Sequence, residues 1–277
     1  MTTIQEKEYD KKIVVSGTKF TCDDVDTTIP APLPQKGGFA IIVVGRPGYG
    51  KTSLINSLVC KSGKNFNRKF DKVFVWSPSM ITMEGDPYEL IPDEQKFEEA
   101  TLENIQGVLD EIKDSGDKVL FIFDDVIADI RGKGKGGIEN LLQKIFFNRR
   151  HLSGAGGSVS IIATSQTYNK IDPKLRKTAS QLIQYKPSKK EIENIYDDLI
   201  TIPKKEFSDV LRYIYKKKHD FMFVDLQQDD TKQIHKNFTQ TLRILRRKDR
   251  SGAFFFFIHL DDFIFFFDNF IISIRYD

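Results

Sequence analysis

At 277 residues the chain is long enough for one α/β domain with a large core and a small appendage. Charged residues make up 29% and the net charge is +3, which excludes a uniformly polycationic surface. Two cysteines far apart, Cys22 and Cys60, and four histidines give no metal-ligand spacing. The thiols read as small buried hydrophobes in a reducing compartment. Residues 1–8 lack the apolar stretch of a signal peptide, so the expected location is intracellular. Residues 1–38 hold one predicted strand, Lys12-Ile13-Val14-Val15-Ser16, and a connector marked by Pro30, Pro32 and Pro34.

An apolar run, Phe39-Ala40-Ile41-Ile42-Val43-Val44, then predicts a fully buried strand. Directly after it, Gly45-Arg46-Pro47-Gly48-Tyr49-Gly50-Lys51-Thr52 spells G-x-x-x-x-G-K-T, and residues 52–60, beginning Thr52-Ser53-Leu54, read as a helix. A glycine loop between strand and helix lets backbone N–H groups curl around phosphate oxygens, while the helix N-terminus adds partial positive charge. Lys51 is expected to reach the β- and γ-phosphates and the Thr52 hydroxyl to bind Mg²⁺. With glycine near 7% of residues, a chance match in a chain of this length arises about once in a hundred. The motif predicts binding of a nucleoside triphosphate.

Further strands are predicted at 72–76, 118–123 and 159–164, with a weaker one at 181–185, and helices at 94–114, 137–149 and 189–199. This alternation argues for an α/β fold, a mostly parallel sheet with helices on both faces. The strand Leu120-Phe121-Ile122-Phe123 ends in Asp124-Asp125, as a Walker B strand does, at the carboxyl end where open α/β sheets bind ligands. Asp124 is expected to hold Mg²⁺ through water or Thr52. Asp125 can aim a water at the γ-phosphate as general base. The 73 residues from Lys51 to Asp124 leave room for a strand inserted between the two motifs.

The strand ending Ile161-Ile162-Ala163-Thr164 delivers Ser165 and Gln166, where an amide can donate to a γ-phosphate and accept from the attacking water. The loop Arg131-Gly132-Lys133-Gly134-Lys135-Gly136-Gly137 combines glycine freedom with three cations suited to phosphate backbones. Arg149 and Arg150 end a helix. There they complement its dipole or act in trans as a finger on the transferring phosphoryl group.

Together these residues resemble the poxvirus-like DNA-packaging ATPases of large DNA viruses, a branch of the FtsK/HerA superfamily. The resemblance is carried by residues 45–53, by Phe123-Asp124-Asp125, by Asn148-Arg149-Arg150-His151, by residues 160–168 and by Pro173-Lys174-Leu175-Arg176. Order and spacing agree over roughly residues 35–200. The resemblance implies a RecA-like P-loop NTPase core, a homo-oligomeric ring, ATP and Mg²⁺ as cofactors, and translocation of double-stranded DNA into a capsid. It further implies Gln166 as a sensor, Ser165 beside it, and Arg149, Arg150 and Arg176 as finger or sensor candidates. A host cytoplasm, virus factory or virion follows as the expected setting, with a capsid protein as partner.

Two other readings compete. Asn169-Lys170-Ile171-Asp172 matches the N-K-x-D guanine element of GTPases and Asp129-Ile130-Arg131-Gly132 matches D-x-x-G, yet neither directly follows an apolar strand as those elements require. DNA pumping in conjugation or segregation would use the same motor. A non-catalytic nucleotide-binding module is disfavoured because Lys51, Thr52, Asp124 and Asp125 occur together.

Residues 39–250 read as the ATPase domain, its second half tilted basic by Lys204-Lys205, Lys216-Lys217-Lys218 and Arg246-Arg247-Lys248. Residues 251–277 form a phenylalanine-rich tail whose apolar runs are interrupted by Asp261, Asp262 and Asp268, too often for a membrane-crossing helix. Its folded reading is two strands joined at Asp261-Asp262. Contact with a membrane or capsid is an expectation, which unchanged association after deleting residues 252–277 would overturn.

Overall fold

Strand β1 (Ala40–Val44) is buried at all five positions and organises the sheet around it. Its residues alternate between two cores. Ala40, Ile42 and Val44 join the apolar cluster that contains Ile105, Val108, Leu142 and Ile145. Ile41 and Val43 join the cluster that contains Ile55, Leu58 and Val59. A strand covered on both faces has no polar side, which is why its sequence is a continuous apolar run. The structure is a computed structural model, described for residues 21–60, 65–81, 85–127, 137–230, 232–248, 254–260 and 263–266. The predicted strand at 12–16 and the cations Arg131, Lys133 and Lys135 lie outside the described residues, as does Asp129.

After β1 come α1 (Lys51–Val59), β2 (Lys72–Trp76), β3 (Lys96–Phe97), α2 (Leu102–Ile112) and β4 (Lys118–Phe123). Then follow α3 (Ile138–Asn148), β5 (Ser158–Ser165), α4 (Pro173–Thr178), β6 (Gln181–Tyr185), α5 (Lys189–Leu199) and α6 (Lys204–Ile214). Strands β7 (Phe221–Asp225), β8 (Ile234–Lys236) and β9 (Gln240–Thr241) complete a nine-stranded sheet of order β3-β2-β4-β5-β1-β6-β7-β8-β9. Pairing is parallel from β3 to β6 and antiparallel from β6 to β9. This is the mostly parallel sheet with helices on both faces of a P-loop NTPase.

The strand between β1 and β4 is β5, paired with both. The interval between the phosphate-loop and acidic motifs does contain strands, β2 and β3, but these lie on the far side of β4. Spacing revealed the room for a strand and not its place, since the inserted strand comes later in the chain. Its register sets Val44 opposite Ser165 and Phe123 opposite Ala163, so the carboxyl ends of β1, β4 and β5 lie side by side.

One predicted boundary moves by several residues. The helix expected over 94–114 begins at Leu102, because Thr101 caps it: the Thr101 hydroxyl accepts from Asn104 N–H at 3.2 Å and the Asn104 amide oxygen accepts from Thr101 N–H at 3.1 Å. The residues before it form a 3₁₀ turn at Asp93–Gln95 and the edge strand β3. Helix α6, with Phe207, Val210 and Ile214 buried, and the fully buried β7 were not predicted. Strand β10 (Arg243–Lys248), at the end of the expected ATPase domain, joins the tail strands β11 (Phe254–Leu260) and β12 (Phe263–Phe266) in a separate antiparallel sheet, with β11 and β12 flanking positions 261–262. Among the described residues no helix is long and apolar enough to cross a membrane.

Candidate active site

The loop after β1 turns on two glycines with positive φ, Gly48 at 74° and Gly50 at 92°, a region where a side chain would be strained. Gly50 is the N-cap of α1 and makes no side-chain cap bond. The first N–H groups of α1 therefore receive no side-chain oxygen from the cap, which suits an incoming anion. Lys51, the first residue of α1, is buried, and its Nζ lies 3.4 Å from Asp125 Oδ2. On the β6–β7 side, Tyr185 approaches the Gly50 carbonyl at 3.5 Å and His219 Nδ1 lies 3.2 Å from the Tyr49 carbonyl. Burial pushes the Tyr185 phenol up to about 12, so it remains a donor.

Asp124 is fully buried one residue beyond β4, with its N–H donating to the Trp76 carbonyl at 2.9 Å. Isolated, a buried carboxylate would be costly, and here three hydroxyls converge on it. Thr52 Oγ1 and Tyr88 Oη each donate to Oδ2 at 3.0 Å, and Thr164 Oγ1 donates to Oδ1 at 2.8 Å. The Thr164 oxygen also accepts from Asp125 N–H at 2.7 Å. Asp125 adopts φ 56°, a left-handed conformation, and its carboxylate is 26% exposed, open to solvent where that of Asp124 is not.

Lys51, Thr52, Asp124 and Asp125 are thus brought together at the carboxyl ends of β1 and β4. Arg46, Pro47 and Gly48 are exposed at the loop tip, as is Ser53 in the first turn of α1. Ser165 is buried at the end of β5, its carbonyl accepting from Gly45 N–H at 3.1 Å and its hydroxyl donating to the Thr167 carbonyl at 2.9 Å. Gln166 follows it, exposed.

The arginines are engaged elsewhere. Arg149 Nε donates to the Gly38 carbonyl at 2.6 Å and its Nη1 to the Phe146 carbonyl, at the amino end of β1. Burial, with Arg150 adjacent, lowers the Arg149 guanidinium below its usual range. Arg150 pairs with Asp23. Arg176 on α4 pairs with Asp198 at 2.8 Å and lies over the Tyr168 ring, 4.5 Å from its centroid. The N-K-x-D residues carry local tasks: Asn169 Oδ1 accepts from Asn194 at 2.6 Å, and Asp172 caps α4 by accepting from Lys174 N–H at 2.6 Å.

Sequence reasoning missed Tyr88, His219 and the bridging role of Thr164. Tyr88 and His219 are far from the motifs in sequence and sit in no periodic pattern. Thr164 lies within the predicted strand, but nothing in its spacing shows that it links the Asp124 carboxylate to the Asp125 backbone N–H.

A sheet that places β5 between a phosphate loop and an acidic strand defines a P-loop ATPase core. The family model described as "ATPase family associated with various cellular activities (AAA)" matches residues 41–187, and the chain belongs to that family. Membership implies ATP binding and hydrolysis. Among solved structures, the chain is similar to B204, the DNA-packaging ATPase from Sulfolobus turreted icosahedral virus. The identity is 16% and the TM-score 0.50, over 69% of this chain and 94% of that one. It is also similar to the genome-packaging NTPase B204 from Sulfolobus turreted icosahedral virus 2 in complex with ATP-γS, at 14% identity and TM-score 0.49, over 69% and 93%. A third is the pCW3 conjugation coupling protein TcpA with ATPγS, at 11% identity and TM-score 0.46, over 68% and 57%. A search of curated proteins found no match.

Proposed function

We propose that this chain is a subunit of an Mg²⁺-dependent ATP-driven motor that translocates double-stranded DNA, packaging a viral genome into a capsid as a homo-oligomeric ring. The observation that carries the catalytic part is the convergence of Lys51, Thr52, Asp124 and Asp125 at adjacent strand ends. The DNA, the capsid and the poxvirus-like branch of the FtsK/HerA superfamily rest on the motif series from Gly45 to Arg176. The likeness to B204, a DNA-packaging ATPase, supports the shared fold.

The donor set fits Mg²⁺. A hydroxyl and a carboxylate 3.0 Å apart offer hard oxygen ligands, and Mg²⁺ ordinarily takes one or two carboxylates beside phosphates and water. Thr52 and Asp124 would hold it, and it would neutralise charge on the phosphate oxygens. Lys51 and Asp125 are paired in the structure. A nucleotide drawing Lys51 onto its phosphates would release the Asp125 carboxylate to orient a water and accept its proton. In a ring, Arg150 or Arg176 would serve a neighbour's phosphates in trans, Arg149 would do so only by giving up the Gly38 and Phe146 carbonyls, and Gln166 would face the γ-phosphate. Arg131, Lys133 and Lys135 would contact DNA phosphates, giving salt-dependent binding.

The test is steady-state hydrolysis of ATP and GTP with and without double-stranded DNA, alongside Lys51→Ala and Asp125→Asn. DNA-stimulated ATP hydrolysis that both substitutions abolish is the expected result. A preference for GTP without a DNA response would overturn it in favour of a GTPase using Asn169, Lys170 and Asp172.

A further inference from the structure

Tyr88 lies between β2 and β3 in a stretch without apolar periodicity, yet it is completely buried. A buried hydroxyl left without a partner keeps its full desolvation penalty, so its bond is a requirement of the fold. The partner is Asp124 Oδ2, the oxygen that also receives the Thr52 hydroxyl, both at 3.0 Å.

The segment presenting Tyr88 is tied down on two sides. Asn56 on α1 donates its amide to the Pro87 carbonyl. Asp86 accepts from Tyr88 N–H at 2.8 Å and pairs with Lys96 on β3 at 2.6 Å. The tyrosine is therefore braced between the helix that begins with Lys51 and the edge of the sheet. With Thr164 on Oδ1 and Tyr88 and Thr52 on Oδ2, the Asp124 carboxylate cannot rotate without breaking a buried hydrogen bond.

We infer that Tyr88 is a positioning residue of the metal site: its hydroxyl fixes the orientation in which Asp124 presents its carboxylate to Mg²⁺. The inference rests on the reading of this site as an Mg²⁺–ATP centre. Partners that orient a metal ligand set its affinity for the ion, and losing one ordinarily costs about 10- to 100-fold.

The experiment uses the full chain, native and Tyr88→Phe, with Mn²⁺ as a paramagnetic probe titrated by electron paramagnetic resonance beside a non-hydrolysable ATP analogue. Binding of the analogue in excess EDTA is measured in parallel. The Mn²⁺ Kd is expected to rise about tenfold in the variant while metal-free analogue binding holds. A Kd within a factor of about two of native overturns the proposal. So does a parallel loss of metal-free binding, which would make Tyr88 a folding residue only. Asn56→Ala, which loosens the segment without touching Asp124, is the second variant. It should raise the Mn²⁺ Kd in the same direction by less, and no change there when Tyr88→Phe does not fold also overturns the proposal. A native chain that binds no analogue at all would instead defeat the ATP-site reading itself.

Discussion

The two ends of strand β1 both carry chemistry that reads as phosphate-binding in the sequence, and the fold treats them in opposite ways. At the carboxyl end, Lys51 pairs with a partly exposed carboxylate that a ligand could displace, and the cap of α1 supplies no side chain to its first N–H groups. At the amino end, Arg149 spends its donors on the Gly38 and Phe146 carbonyls and Arg150 pairs with Asp23, beside a cavity of about 760 Å³ lined also by Gln228 and Lys232. Arg149, committed to backbone oxygens, stabilises the fold, whereas Lys51, paired with one partly exposed carboxylate, can exchange partners.

The strongest way to break this contrast is Asp125→Asn, which should cut ATP turnover by about 100- to 10,000-fold while nucleotide binding persists, as measured by single-turnover hydrolysis and an equilibrium binding assay. Lys51→Ala comes next, lowering turnover by about 100- to 1000-fold and weakening nucleotide binding as well. Unaltered hydrolysis in either variant would remove the carboxyl end of β1 from the chemistry.

Arg149→Ala sharpens the other side. It should lower the unfolding free energy by about 1.5–3 kcal/mol in urea titrations, because the Gly38 and Phe146 carbonyls lose a charged donor. Arg150→Ala, losing a pair that is 40% exposed on the arginine side, should cost no more than about 1 kcal/mol. Arg149→Ala that kept native stability but lost DNA-stimulated hydrolysis would show that this end serves a neighbouring subunit.

The smallest effect concerns His235, which lines the same cavity. Burial lowers its pKa below the usual 6.5, against the pull of Asp225. The unfolded chain then takes up the proton first. Its contribution to stability is full above about 6.5 and declines as pH falls through that value. Urea midpoints measured between pH 8 and 5 should show this decline, and His235→Gln should flatten it.

The tail makes a related contrast within the fold. Phe39–Val44 and Phe254–Ile258 are both continuous apolar runs, yet the first enters the nine-stranded sheet and the second a separate antiparallel one. Hydrophobic content alone does not separate them. Sheet membership depends on which partners a strand meets.

Local sequence determined the elements whose causes are local. Residues 39–44 had to be a doubly covered strand because no polar face exists in them, and Gly48 and Gly50 suit the loop because glycine takes positive φ without strain. Alternating strands and helices made the sheet parallel from β3 to β6. The tertiary structure alone decided what depends on contact across the chain: that β5, late in sequence, lies between β1 and β4, that Thr164 bridges two aspartates, and that Tyr88 holds Asp124. Periodicity reports which side of an element is apolar. It carries no information on which distant hydroxyl will meet a buried carboxylate, because packing brings together residues separated by many turns of chain.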